Sequence, residues 1–283
     1  MDEGTRPNRQ RTVTNGSIEI AVTEYGDPEQ PAVILLHGIS NRSDGWLPVI
    51  PALTESFHVL GVDLRGHGQS SQPASGYGHE DYAGDLQAVV AAYDLSAPLI
   101  VGHSLGGMAA LTWATRHPRA AGAIVVEDAP LSVAPGAEAL FAAWLSLNGL
   151  PFEVLLATYQ REQPHLPPDL LRRRAEAMAG TAPAVFREEL AAARAGDGID
   201  HIAPLAVIES PVLLIRGDPE AGGLVPVADA RAFAATVPNS RVERIPGGSH
   251  HLHRDRRPAF LELVIPFLRE HAGCQPDFRA SAR

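Results

Sequence analysis

The sequence predicts an α/β protein: a mostly parallel eight-stranded sheet, helices on both faces, and a helical insertion late in the chain. Two observations carry this. Eight strand-like runs, several of them apolar almost throughout as strands buried on both faces must be, alternate with stretches whose apolar residues recur at helical spacing. One such run, Leu99-Ile100-Val101-Gly102, feeds His103-Ser104-Leu105-Gly106-Gly107, a Gly-x-Ser-x-Gly pattern lying between a strand and the helix-like stretch Met108 to Thr115. A buried strand that turns sharply into a helix leaves no room for side chains at 102 or 106 and presents the serine hydroxyl at the tip. The alternative for the bare pattern, a structural Gly-Ser turn, does not need that flanking context.

The elements follow in order. Thr12 to Thr14 and Ser17 to Tyr25 read as alternating strands joined by an Asn15-Gly16 hairpin turn. Ala32 to Leu36 is a buried strand ending in His37-Gly38-Ile39-Ser40-Asn41. His58 to Asp63 is the next, followed by the glycine-punctuated loop Leu64-Arg65-Gly66-His67-Gly68-Gln69-Ser70. Glu80 to Tyr93 has helical periodicity, and Pro98 to Val101 leads into the serine turn. Ala121 to Asp128 is a further strand closing on two acids before Pro130. From Leu131 to about Leu205 no buried strand appears; Ala-, Leu- and Arg-rich helical stretches are interrupted by Pro151, Pro164, Pro167, Pro168 and Pro183. Pro211 to Gly217 and Arg241 to Ile245 restore the strands, with helices at Val227 to Thr236 and Arg257 to His271. The expected organisation is a core of residues 1–130 and 206–273, an insertion at 131–205, and a disordered tail at 274–283.

Composition excludes several classes. A net charge of −10 with dispersed basic residues argues against nucleic acid. All 23 basic residues are arginine, so P-loop lysines, Schiff-base lysines and Ser-Lys dyads are absent. The single cysteine, Cys274, permits no intrachain disulfide and no Cys-x-x-Cys pair. No signal-peptide core and no run long enough to cross a membrane is seen, so a cytoplasmic protein without membrane or nucleic-acid partners is expected. Oligomeric state is not legible.

His37-Gly38, Asp63-Leu64-Arg65-Gly66-His67-Gly68-Gln69-Ser70, Gly102-His103-Ser104-Leu105-Gly106-Gly107 and the late Gly247-Gly248-Ser249-His250, in that order, resemble the α/β-hydrolase superfamily over roughly residues 12 to 272. The resemblance implies Ser104 as nucleophile and His250 as its base, because serine is a poor nucleophile until a positioned base takes its proton. It implies backbone amides of Ile39 and Leu105 as the oxyanion hole. Asp63 and Arg65 fall at positions that stabilise loops, as do His37, His67 and His103; His37, Gly38 and His103 are also expected beside the substrate. The insertion would lie over Ser104, with Phe141 and Trp144 among its pocket walls.

The acid stays open. The commonest family position is the loop after the seventh strand, where Asp218 falls too early and Glu220 sits on a long loop. Other members take it from the end of the sixth strand, where Asp128 stands 24 residues after the nucleophile. The run His250-His251-Leu252-His253 is in isolation also a metal-binding pattern. No His-Glu-x-x-His motif or cysteine pair joins it, so neither metal nor organic cofactor is expected. The implied activity is hydrolysis of a small apolar ester or lactone through an acyl-enzyme. Its rivals are carbon–carbon, amide or perhydrolytic chemistry, and a ligand receptor without turnover.

Overall fold

In the computed structural model, which describes residues 6–132, 136–195 and 201–273, the chain opens with β1 (Arg9–Asn15) and β2 (Ile18–Tyr25). They pair antiparallel through a tight turn at Gly16, whose φ of 60° suits glycine. β2 then joins β4 (His58–Val62) antiparallel. From there β3 (Ala32–Leu36), β5 (Leu99–His103), β6 (Ala123–Glu127), β7 (Val212–Arg216) and β8 (Ser240–Arg244) continue in parallel, in the order β1-β2-β4-β3-β5-β6-β7-β8. The inner strands are buried along nearly their whole length, which explains their unbroken apolar runs. β8 is an edge, and it carries Arg241, Glu243 and Arg244.

Alternation along each strand divides the core in two. Ile34, Leu36, Ile100, Val126 and Leu214 pack on one face with α2 (His79–Ala92), α3 (Leu105–Arg116) and α8 (Val227–Thr236). Val33, Leu35, Val101, Val125 and Leu213 pack on the other with the short α1 (Ile50–Leu53) and α10 (Arg257–His271). Strand order reverses between β3 and β5: β3 connects outward to β4 and β5 outward to β6. The crevice at the carboxyl ends of those two strands is therefore where an open α/β sheet opens to a ligand. Ser104 follows β5 and His37 follows β3 at this point.

Between β6 and β7 stand α4 (Ala137–Asn148), α5 (Phe152–Glu162), α6 (Pro168–Gly180) and α7 (Pro183–Ala195). Four of the five prolines that look like interruptions in sequence are helix starts: Pro151 and Pro167 occupy cap positions, while Pro168 and Pro183 open their helices, where a missing N–H costs nothing; Pro164 lies in the turn between α5 and α6. The insertion has a small core of its own, built on Leu155, Tyr159, Leu171, Ala175, Met178 and Phe186. Seams tie it to the sheet domain. Ala182 donates its N–H to Gly66 O at 2.7 Å, Glu188 accepts from the amides of Gly76 and Tyr77 at 3.0 and 2.8 Å, and Arg42 pairs with Glu176 at 2.8 Å. No described helix is long and apolar enough to cross a membrane. The expected tail at 274–283 lies outside the described residues.

Candidate active site

Ser104 sits between β5 and α3 with φ 52° and ψ −118°, a conformation side-chain-bearing residues rarely adopt. Its neighbours make the turn possible. A Cβ on Gly102 would lie 2.4 Å from Gly106 O, and one on Gly106 would lie 2.3 Å from Leu36 O. The Gly106 amide donates to His37 O at 3.1 Å, so the turn is fastened to the end of β3. Leu105 begins α3, and first-turn amides have no helical acceptor, so its N–H is available at the positive end of the helix dipole. Ile39, after β3, borders the same cavities as Ser104.

Asp128, fully buried just past β6, accepts the N–H groups of Gly217 at 3.1 Å and Leu224 at 2.7 Å, and its Oδ2 lies 2.8 Å from His250 Nδ1. Adjacency of β6 and β7 explains this, because Gly217 directly follows β7. His250 follows a turn at Gly247 (φ 64°) and Gly248; Gly217 must lack a Cβ, which would fall 2.5 Å from the carbonyls of Gly248 and Ser249. With Nδ1–H directed at a carboxylate, the lone pair belongs to Nε2. His250 and Ser104 border one cavity, but no hydrogen bond joins them, as is common without substrate. Asp218 points elsewhere. Arg244 grips its carboxylate, at 2.9 Å from Nη2, and Gly247 N–H donates to it at 2.8 Å, so Arg244 first and Gly247 second hold its pKa well below the usual carboxylate range. Glu220 is exposed on a short 3-10 turn, Pro219–Ala221.

Two residues expected to line the substrate pocket do not. His37 is 1 % exposed, its Nε2 accepts the Leu64 N–H at 3.0 Å, and neither it nor Gly38 borders either cavity beside Ser104. Both are spent on packing the loops: a Cβ on Gly38 would lie 2.6 Å from His103 Nδ1. His67 is likewise structural; burial, helped by His37, presses its pKa down to about 3. His103 does border the cavity, with Nε2 against His250 O at 2.9 Å.

Sequence reading did not anticipate a second acid–histidine pair. Glu127 is fully buried and contacts His253 Nδ1 at 2.8 Å, while the His253 ring lies 4.4 Å from that of Trp46. The available signal was the coincidence of two consecutive acids, Glu127-Asp128, with two histidines three apart, His250 and His253. Burial, then neighbouring histidines, holds His103 and His251 well below their ordinary pKa, so both are neutral near pH 7. One nitrogen each from His103, His250 and His251 lies within 4.8 Å of the others, a set capable of ligating a metal.

Two cavities meet at Ile39, Ser104 and Trp144. One, about 220 Å³, is the more polar of the two and bordered by His103, His250, His251, Arg173, Arg174 and Arg254. The other, about 660 Å³, is mainly apolar and bordered by Leu105, Met108, Leu140 and Phe141, with Glu188 and Glu189 at one side. The arginines were not foreseen, although Arg172-Arg173-Arg174 is visible in the sequence.

A doubly covered α/β sheet carrying a serine at a strained strand-to-helix turn, beside an acid-bound histidine, defines a nucleophile-elbow scaffold. The chain belongs to the alpha/beta hydrolase fold family, whose model matches residues 31–256. Among its relatives, 2-(acetamidomethylene)succinate hydrolase from Mesorhizobium japonicum is 27% identical over 266 residues, covering 91% of this chain and 94% of that protein. A putative carbamate hydrolase, RutD, from Caulobacter segnis is 28% identical over 271 residues, covering 90% and 99%. The crystal structure of E-2-(acetamidomethylene)succinate hydrolase superposes with a TM-score of 0.79 at 26% identity, over 92% of this chain and 99% of that one.

Proposed function

We propose that this protein is a serine hydrolase that cleaves a carboxylic ester or lactone through an acyl-enzyme. The observation that carries the reading is the Asp128–His250 contact of 2.8 Å in a cavity shared with Ser104 at its elbow. His250 Nε2 takes the Ser104 proton as Oγ attacks the carbonyl carbon, and Asp128 holds the ring's tautomer and stabilises the imidazolium. The amides of Leu105 and Ile39 receive the oxyanion. Collapse of that intermediate breaks the acyl–oxygen bond, and the imidazolium returns the proton to the leaving alcohol. Water then enters by the same route and releases the acid. In this reading 131–205 is a cap whose Phe141 and Trp144 wall the acyl pocket, and no cofactor takes part.

Amide cleavage is the second reading, because the two relatives' names describe an acetamido compound and a carbamate, both containing acyl–nitrogen bonds. The test is turnover of p-nitrophenyl esters of increasing chain length, with lactones and amides alongside. Ser104→Ala should lower kcat by several orders of magnitude with the fold intact; wild-type-like hydrolysis by that variant ends the proposal. A rate near one event per molecule on every substrate would instead favour a receptor.

A further inference from the structure

Resting on the serine-hydrolase reading, we infer that the smaller, more polar cavity is a carboxylate-binding subsite, and that the protein's substrates carry a free carboxylate on the leaving-group side. Arg173 and Arg174 are consecutive residues of α6, and both border the cavity that contains Ser104 and His250. Arg173 has no hydrogen bond, ion pair or ring contact among the described residues. Among the described residues, Arg174 has a polar or ring contact with only the Gln163 side chain and the Tyr159 ring, 5.0 Å from its guanidinium, and no carboxylate is ion-paired with it. Burial and then the charge of Arg254 press its pKa downward, by more than the charges of Asp255 and Glu162, neither of them ion-paired with it, raise it. Other charges at the rim are already matched: Arg254 to Asp255 at 2.7 Å, Asp44 to Arg42 at 2.9 Å, Glu162 to Arg161 at 3.7 Å.

A guanidinium held in a partly desolvated wall without an anion is costly unless a ligand supplies one, and its planar fork suits a carboxylate. The side of the substrate follows from proton transfer. The leaving group must lie within reach of His250, and His250 borders the smaller cavity and not the larger one. An apolar acyl group then takes the larger cavity, with the bond to be broken where the two meet.

The test uses hexanoate esters of glycolate, 3-hydroxypropanoate and 4-hydroxybenzoate, each against the ester of its carboxamide, which has the same shape without the charge. For at least one pair the wild-type protein should favour the carboxylate in kcat/KM by roughly 10- to 100-fold, the range of a charge-assisted hydrogen bond. Arg173→Gln and Arg174→Gln should each reduce that ratio toward one, mainly through KM. A ratio of two substrates on one preparation does not depend on the fraction folded, and Arg173, which makes no hydrogen bond, ion pair or ring contact among the described residues, guards against collapse of the fold in Arg174→Gln. The same pairs titrated calorimetrically onto Ser104→Ala should show tighter binding of the carboxylate. Equal rates and affinities across all three pairs, or a preference that survives in the double variant, overturn the subsite. Hydrolysis by Ser104→Ala at the wild-type rate overturns the serine reading instead, while the wild-type carboxylate-to-carboxamide ratio still reads the subsite.

Discussion

Two consecutive acids hold two histidines: Glu127, the last residue of β6, takes His253, and Asp128, just past the strand with φ 44°, takes His250. Both histidines border the cavity beside Ser104, but the His253 side chain is nearly closed off, 4% exposed against 19% for His250. Asn at Asp128 should lower kcat by up to roughly four orders of magnitude, because it disturbs the imidazole tautomer and removes the charge that stabilises the imidazolium. Asn at Asp218 should mainly lower stability, since its carboxylate braces Arg244 and the Gly247 turn. The comparison is kcat of both variants at matched folded fractions; near-normal turnover in Asp128→Asn with collapse in Asp218→Asn reverses the assignment. Ser104 and His250 stand out in the sequence because glycines punctuate them locally. The acid did not, because Asp128, Asp218 and Glu220 all end strands or begin loops, and what separates them is the adjacency of β6 and β7.

Elements were legible to the extent that burial is periodic. Strands and helices of the sheet domain follow from runs and spacing, while the short α1, the 3-10 turn at Ser43–Trp46 and α9 (Leu252–Asp255) are too brief to leave a periodic trace. The elbow has little room for change. Gly106→Ala would set a Cβ against the Leu36 carbonyl, backbone of a central strand that cannot swing aside, and should cost more than about 3 kcal/mol in urea unfolding. An undiminished midpoint would mean the turn is looser than drawn. In the insertion, Phe141 borders only the larger cavity whereas Trp144 borders both and contacts Phe141 at 5.6 Å. Phe141→Ala should therefore shift the acyl chain-length profile, and Trp144→Ala should shift it and also alter leaving-group preference. If both variants keep the wild-type profile, these walls are wrongly assigned.

At the scale of the molecule, the sheet order puts the serine turn at the crevice where strand order reverses, and helices of the insertion share its cavity walls; the seam between them is therefore where global stability and the site meet. That seam is charge-sensitive. Glu188 on α7 accepts the amides of Gly76 and Tyr77, while its neighbour Glu189 faces the larger cavity, where burial first and the Glu188 charge second push its carboxyl up to about 7 from 4.5. For an acid raised on folding, the folded state holds more protons than the unfolded one between those values, so stability falls as pH rises from about 4.5 through about 7 and is level on either side. Glu189→Gln removes the ionisation while keeping the shape. It should gain on the order of 1 kcal/mol at pH 8, discounted because the residue keeps some contact with solvent, and gain nearly nothing at pH 4.5. Urea unfolding of both proteins across that range is the measurement. A gain of equal size at both ends would show that the glutamine acts through packing, and that no proton is held at this seam.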